Sequence, residues 1–244
     1  MASDPAPPPS FWPALRVADV QKDLLRNIVS LRMSQDLFDD LSTDPAEMRI
    51  AQQVEDEVKP PLFASLTPVI HRPFEEAQWA NAIGWPFRHW QGSRFSEGRF
   101  GVWYGADALE TTVRESAHHW VNGLLRDAGF EHEPVVGERK VYAVACAAAL
   151  LDARAASRHA PGLLDPADYA PARALGRRLH AEGHPGLVTP SVRHRGGHTY
   201  ALFNPAVLSQ PRLHAQLTYR LQDGQLRVEK APGRRWLSIP LAEL

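Results

Sequence analysis

The chain has 244 residues, 44% of them hydrophobic, which is enough for one large or two small domains with an ordinary core and excludes disorder for most of its length. Its 27 basic and 28 acidic residues give a formal net charge of -1, so no global field draws it to nucleic acid or to an anionic membrane. Cys146, in the apolar run VYAVACAAALL, has no second thiol to pair with, no window approaches the roughly 20 apolar residues that span a bilayer, and the start is acidic and proline-rich rather than a basic signal segment; these features predict a soluble cytoplasmic protein with no membrane partner.

Residues 1–10 hold four prolines and read as a disordered leader. Residues 11–60 read as an N-terminal helical accessory segment. Val20, Leu24, Ile28 and Leu31 recur near 3.6 residues, followed by Leu37 and Leu41 and by a second run around Met48, Ile50 and Val54. STDP at 42–45 offers cap and turn chemistry between the two runs, and KPP at 59–61 ends them. The main domain is then predicted over 61–244.

From Pro61 onward the pattern changes to short strands rich in Val, Tyr, Phe and Thr, bounded by Gly and Pro: SLTPVIHRPF, RFGVWYGA, RKVYAVAC, GLVTPSV and TYALFNP. LTYRLQDGQLRVEK alternates on both sides of Asp223-Gly224, a type I′ turn pair, and predicts a hairpin; RRWLSIP adds a further strand. Two helices interrupt the strands, at about 108–125 and 168–182. Strands that dominate, with only two internal helices, predict an α+β fold rather than a regular βαβ winding.

The first helix presents Leu109, Val113, Ala117, Trp120 and Leu124 as one apolar stripe, which leaves Glu115 pointing away from it and His118 and His119 on that far side. Three readings stay open from geometry: a metal site, a carboxylate with a catalytic task, and a solvated helix face. The second helix is closed by EGHPG, where Gly183 suits a left-handed cap and Pro185 stops continuation. Ser191 follows the strand GLVTP and precedes a basic, glycine-containing turn.

Eleven histidines include the spacings His180/His184 and His194/His198, yet neither H-E-x-x-H nor paired Cys-x-x-Cys occurs, so no metal is predicted. No G-x-S-x-G elbow, G-x-G-x-x-G or Walker loop is present, and Cys146 lies in a strand that reads as buried. The stretch RHWQGSRFSEGRF mixes basic and aromatic residues and keeps a non-enzymatic nucleic-acid-binding module as an alternative, although the charge balance elsewhere speaks against direct nucleic-acid binding. What remains is an ordered set of polar residues in strand-rich context: Arg72, Arg94 or Arg99, Tyr104, Glu115 and Ser191.

Arg72 in HRPF, Glu115 in GVWYGADALETTVRE and Ser191 in GLVTPSVRHRGGHTYALFNP, in that order, resemble the motifs of the RES domain family, the toxins of RES–Xre toxin-antitoxin pairs, over about Pro68 to Trp236. The resemblance implies a fold similar to ADP-ribosyltransferases: a mixed, mostly antiparallel sheet. It implies NAD+ as substrate without a metal, and a cognate Xre-like antitoxin as partner. It assigns catalysis to Glu115, Arg72 and Ser191, and substrate binding to Arg72, Arg94, Tyr104 and Ser191. Hydrolysis or phosphorolysis is the leading reading for the ribosyl group, with transfer of ADP-ribose to a protein target as the alternative, and the N-terminal 60 residues, outside the core resemblance, are read as an antitoxin-docking or dimerisation element.

Overall fold

The structure is a computed structural model that describes residues 7–30 and 78–244. In chain order it comprises a helical turn α1 (Phe11–Ala14), strand β1 (Arg16–Val29), a short helix α2 (Trp85–Arg88), β2 (Trp103–Ala106), α3 (Leu109–His119), β3 (Val135–Asp152), α4 (Ala170–Ala181), β4 (Gly186–Pro190), β5 (His198–Leu202), β6 (Leu208–Gln222), β7 (Gln225–Ala231) and β8 (Arg234–Pro240). The described chain divides into two compact units: residues 7–26, 78–112 and 143–212 form the first, and 27–30, 113–142 and 213–244 the second. The architecture is α+β with mostly antiparallel pairing, as the sequence predicts.

One expectation is corrected. Residues 16–29 are not helical but form β1. Val20, Leu24 and Ile28 are four residues apart, a spacing that returns to the same face of a helix and of a strand alike. The helical reading therefore rested on a period that did not discriminate. Val20 and Leu24 are buried while Gln21, Lys22 and Asp23 between them are exposed, so burial too repeats every four residues, and it is pairing with β2 at Leu25↔Ala106 that marks the segment as a strand. The remainder of the predicted helical segment, and Arg72 with it, lies outside the described residues.

In the first unit the strand order is β1-β2-β5-β4-β3. β2 pairs antiparallel with β1 (Leu25↔Ala106) and with β5 (Tyr104↔Ala201), β5 pairs antiparallel with β4 (Leu187↔Ala201), and β4 pairs parallel with the end of β3 (Leu151↔Leu187). Register places Tyr104, Ala201, Leu187 and Leu151 on one face. α4 covers that face with Ala172, Leu175 and Leu179, and Phe95, Phe100 and Phe203 join the same cluster. Each buried Leu or Phe contributes about 1.5–3 kcal/mol, so this face is the main stabilising core of the unit. The predicted end of α4 holds: Gly183 has φ +79, its N–H donates to His180 O at 3.0 Å, and His184 N–H donates to Leu179 O at 3.0 Å, closing a Schellman motif.

In the second unit β6, β7 and β8 form an antiparallel meander (Tyr219↔Val228, Leu226↔Ile239). The predicted hairpin turn is present, with Asp223 at φ 54 and Gly224 at φ 70, the two positive values that a type I′ turn requires. α3 passes into a π-helical stretch Trp120–Leu125, and Val113, Ala117, Trp120, Val121 and Leu125 are buried. Arg139 is 8% exposed and lies over two rings, 5.9 Å from the centroid of Trp120 and 5.4 Å from that of Tyr219. The Tyr219 hydroxyl accepts from Asn27 Nδ2 at 2.9 Å and bonds Ser116 Oγ at 2.8 Å.

Candidate functional site

Tyr104 lies on β2 with its ring packed against the α4 core cluster. Its hydroxyl accepts from Phe95 N–H at 3.0 Å and donates to Ser93 Oγ at 3.0 Å, so β2 holds the 93–95 segment by two bonds. Arg94 sits in that segment. Its Nη1 donates to Asp165 O at 2.7 Å and to Leu163 O at 3.4 Å, and its guanidinium lies 4.4 Å from the centroid of the Tyr169 ring. Arg173 reinforces the arrangement, donating from Nε to Ser93 O at 3.0 Å and lying 5.6 Å from the same ring. A planar cation fixed against an aromatic face keeps one orientation, which suits recognition of a phosphate or carboxylate.

The segment that receives Arg94 is organised by its own carboxylates. Asp165 Oδ1 accepts from Ala167 N–H at 2.8 Å and Asp168 N–H at 2.7 Å, and Asp168 Oδ1 accepts from Ala170 N–H at 2.9 Å as α4 begins. The bonds from Asp168 and Ala167 hold the Asp165 carboxyl below its ordinary range.

Ser191 closes β4 and starts the turn to β5. Its hydroxyl accepts from His194 N–H at 3.0 Å and Arg193 N–H at 3.2 Å, the side-chain mimicry that serine brings to turns, and its N–H donates to Gly197 O at 2.8 Å. Arg193 Nη2 donates to Pro166 O at 2.6 Å and ties this turn to the segment under Arg94. The turn also rests on the start of α3: His194 Nδ1 bonds Thr111 Oγ1 at 2.8 Å, and His194 Nε2 lies 3.6 Å from Glu110 Oε1. Gly197 is required there, since a Cβ would stand 2.5 Å from Thr111 Oγ1 and 2.8 Å from His194 Nδ1.

Three of the residues predicted for the site are thus linked within the first unit: Tyr104 on β2 bonds the 93–95 segment that carries Arg94, Arg94 bonds the 163–169 segment, and Arg193 bonds that segment from the turn that Ser191 starts. Arg99, the alternative to Arg94, is elsewhere; its side chain is 78% exposed and faces Glu97 at 3.6 Å. Glu115 lies half-buried on α3, one turn beyond Thr111 along the helix. His118 bonds the backbone oxygen of Leu244, and Asn122 Nδ2 at 3.1 Å, and its ring stands edge-on to that of the exposed His119, with centroids 5.5 Å apart. Arg72 lies outside the described residues.

Residues that the sequence did not single out also build the site: Tyr169, Arg173, Arg193, Thr111 and Glu110. Their partners are far away in the chain, and no local period marks them; only the basic turn after Ser191 hinted at Arg193. His194 and His198, read as a spacing pair, take different partners, His198 Nδ1 meeting Asp107 Oδ2 at 3.2 Å. Among the described residues no three His, Cys, Asp or Glu side chains are grouped to hold a metal ion, and no helix is long and apolar enough to cross a membrane. Burial pushes the Cys146 thiol up to about 11, against the pull of Lys22, which keeps it protonated at neutral pH and unsuited to nucleophilic attack.

The family model of the RES domain matches residues 69–222. No curated protein matches the sequence. Among solved structures, the M. tuberculosis MbcT–MbcA toxin-antitoxin complex is similar at 12% identity, covering 87% of this chain and 90% of that one, with a TM-score of 0.44.

Proposed function

The chain belongs to the RES domain family, and from that premise we propose that it is the NAD+-consuming toxin of a toxin-antitoxin pair, cleaving the bond between nicotinamide and ribose and held in check by an Xre-like antitoxin. The observation that carries the reading is the bonded cluster of Arg94, Tyr104 and Ser191 inside a matched region that also contains Arg72 and Glu115.

Nicotinamide in NAD+ is already a cationic leaving group, so it departs with the bonding electron pair and without a proton from the enzyme. The barrier lies in the oxocarbenium-like ribose left behind. Glu115 offers a carboxylate to stabilise that charge and to orient the group that adds to the ribose carbon. Arg94 and Arg72 bind the pyrophosphate, where a guanidinium fork matches two phosphate oxygens. Ser191 shapes the 191–197 turn against substrate. Tyr104 has its hydroxyl committed to residues 93 and 95 and its ring against the core, so its proposed role is to position Arg94 rather than to stack on a substrate ring.

The test incubates the purified chain with NAD+, with and without inorganic phosphate and with cell lysate. Nicotinamide release in buffer, lost at least a hundredfold in Glu115→Gln, is expected. Release only in lysate with labelled protein would reassign the chain to ADP-ribosyl transfer. No turnover under any condition, with wild type as harmless to growth as Glu115→Gln, would sink the proposal.

A further inference from the structure

We infer that the first unit carries a second binding site, between the 96–100 loop and α4, for a flat ring that bears one anionic group. This does not rest on the NAD+ reading. An open cleft of about 210 Å³ there is lined by Glu97, Arg99, Phe100, Arg177, His180 and Ala181, below the roughly 300–1,000 Å³ of drug-sized sites and so matched to a single small ring.

Its floor is aromatic and fixed. The rings of Phe100 and His180 stack with centroids 4.1 Å apart and planes 12° apart, and Phe203 stands edge-on to Phe100 at 5.6 Å and to His180 at 6.2 Å. The loop beside it is built rigidly. Ser96 is fully buried, and its hydroxyl donates to Phe100 O at 2.8 Å while accepting from Gly98 N–H at 3.1 Å.

The rim supplies the charge. Arg177 Nη1 donates to Glu97 Oε1 at 3.1 Å, and Arg99 Nε lies 3.6 Å from Glu97 Oε2. Two guanidinium groups therefore converge on a single carboxylate, one from each side, and α4 itself contains no acidic residue. Glu97 shows what the slot accepts: it stands where the anionic group of a ligand would stand. The ion pairs are solvent-exposed, with Arg177 40% and Glu97 39% exposed, and exposed pairs contribute only about 0–1 kcal/mol. An incoming phosphate or carboxylate displaces Glu97 at small cost, and its ring stacks along His180 and a guanidinium plane.

Two sources share this chemistry, a nucleoside monophosphate and an aromatic carboxylate. The experiment titrates the full-length, 15N-labelled protein with AMP, with nicotinate and with inorganic phosphate as the ringless control, following the backbone amides of Gly98 and Ala181. Saturable shifts with AMP identify the phosphate source, and with nicotinate the carboxylate source; either supports the site. Glu97→Ala removes the carboxylate between the two arginines and should tighten that binding about tenfold, Arg177→Ala should weaken it at least tenfold, and Arg94→Ala should leave it unchanged. Glu97→Gln, which keeps the side-chain size, checks that tightening follows loss of charge. The proposal is overturned if neither ring compound shifts these amides at millimolar concentration in wild type or Glu97→Ala, if inorganic phosphate binds as well as AMP, or if removing Glu97 does not tighten binding.

Discussion

Arg94 in the first unit and Arg139 in the second both lie over aromatic rings, but the two units use the motif for opposite ends. Arg94 is half-buried, meets one ring, and donates to the carbonyls of Leu163 and Asp165 in a surface segment. Arg139 is nearly inaccessible between two rings, and burial holds its guanidinium below the ordinary range despite the opposing pull of Tyr219. A half-buried, pre-oriented cation suits the anion-binding role proposed for Arg94. One enclosed by rings with only 8% of its surface exposed is part of the framework, because removing it leaves a void. Tyr104 and Tyr219 divide in the same way: one hydroxyl holds a loop, the other closes a buried network with Asn27 and Ser116.

The largest expected effect separates the two arginines. Arg139→Ala opens a cavity between Trp120 and Tyr219 and should cost about 2–4 kcal/mol of stability, read as a lower urea midpoint. Arg94→Ala should move that midpoint little, by about 1 kcal/mol or less, yet weaken NAD+ binding at least tenfold. If Arg94→Ala unfolds the protein as badly as Arg139→Ala, the contrast between ligand-facing and framework arginines fails.

The tyrosines sharpen it at intermediate size. Tyr219→Phe removes the acceptor of the half-buried Asn27 Nδ2 and leaves Ser116 Oγ its bond to Val113 O, and should cost about 1–2 kcal/mol with no change in the KM for NAD+. Tyr104→Phe should cost about 1 kcal/mol and raise that KM several-fold while kcat changes less, since it loosens the segment that carries Arg94. Equal effects on both constants from the two variants would contradict the division of labour.

The smallest effect is a pH dependence confined to the first unit. Asp152 is bonded by Arg154 at 2.6 and 2.9 Å, and this bond holds its carboxyl below the ordinary range. A depressed carboxyl stabilises the fold above its unfolded value near ~3.9 and loses that contribution as pH falls through the folded value. Asp152→Asn should therefore be less stable than wild type at pH 7, with the difference vanishing in acid. A difference of undiminished size throughout the acid range would assign the effect to packing instead.

How much of this was legible in the sequence depended on the range of the interaction that carries it. Asp223-Gly224 and Gly183 were readable because a turn and a helix cap are settled by backbone conformations within a few residues. β1 was misread because Val20, Leu24 and Ile28 satisfy two periods at once, and the deciding fact, β1 pairing with β2 at Leu25↔Ala106, is not local. The Arg94–Tyr169, Arg193–Pro166 and His194–Thr111 contacts join segments separated by a helix or several strands, and leave no trace in spacing. Tyr104 and Ser191 could be named as candidates because they lie in stretches that resemble the family's motifs, and Arg94 because it stands shortly before a strand; the residues that hold them in place carry no such mark.

The strand order of the first unit has a consequence for how the protein comes into being. β5 lies between β2 and β4, yet it is made after both, and β4 reaches β3 only by the crossover that contains α4. A nascent chain that has not yet released residue 202 lacks the strip that joins β2 to β4 and the anchor for the turn starting at Ser191. Non-local, late-closing contacts of this kind form slowly. Synthesis therefore separates the making of most of the first unit from the assembly of the segments that hold Arg94 and Ser191.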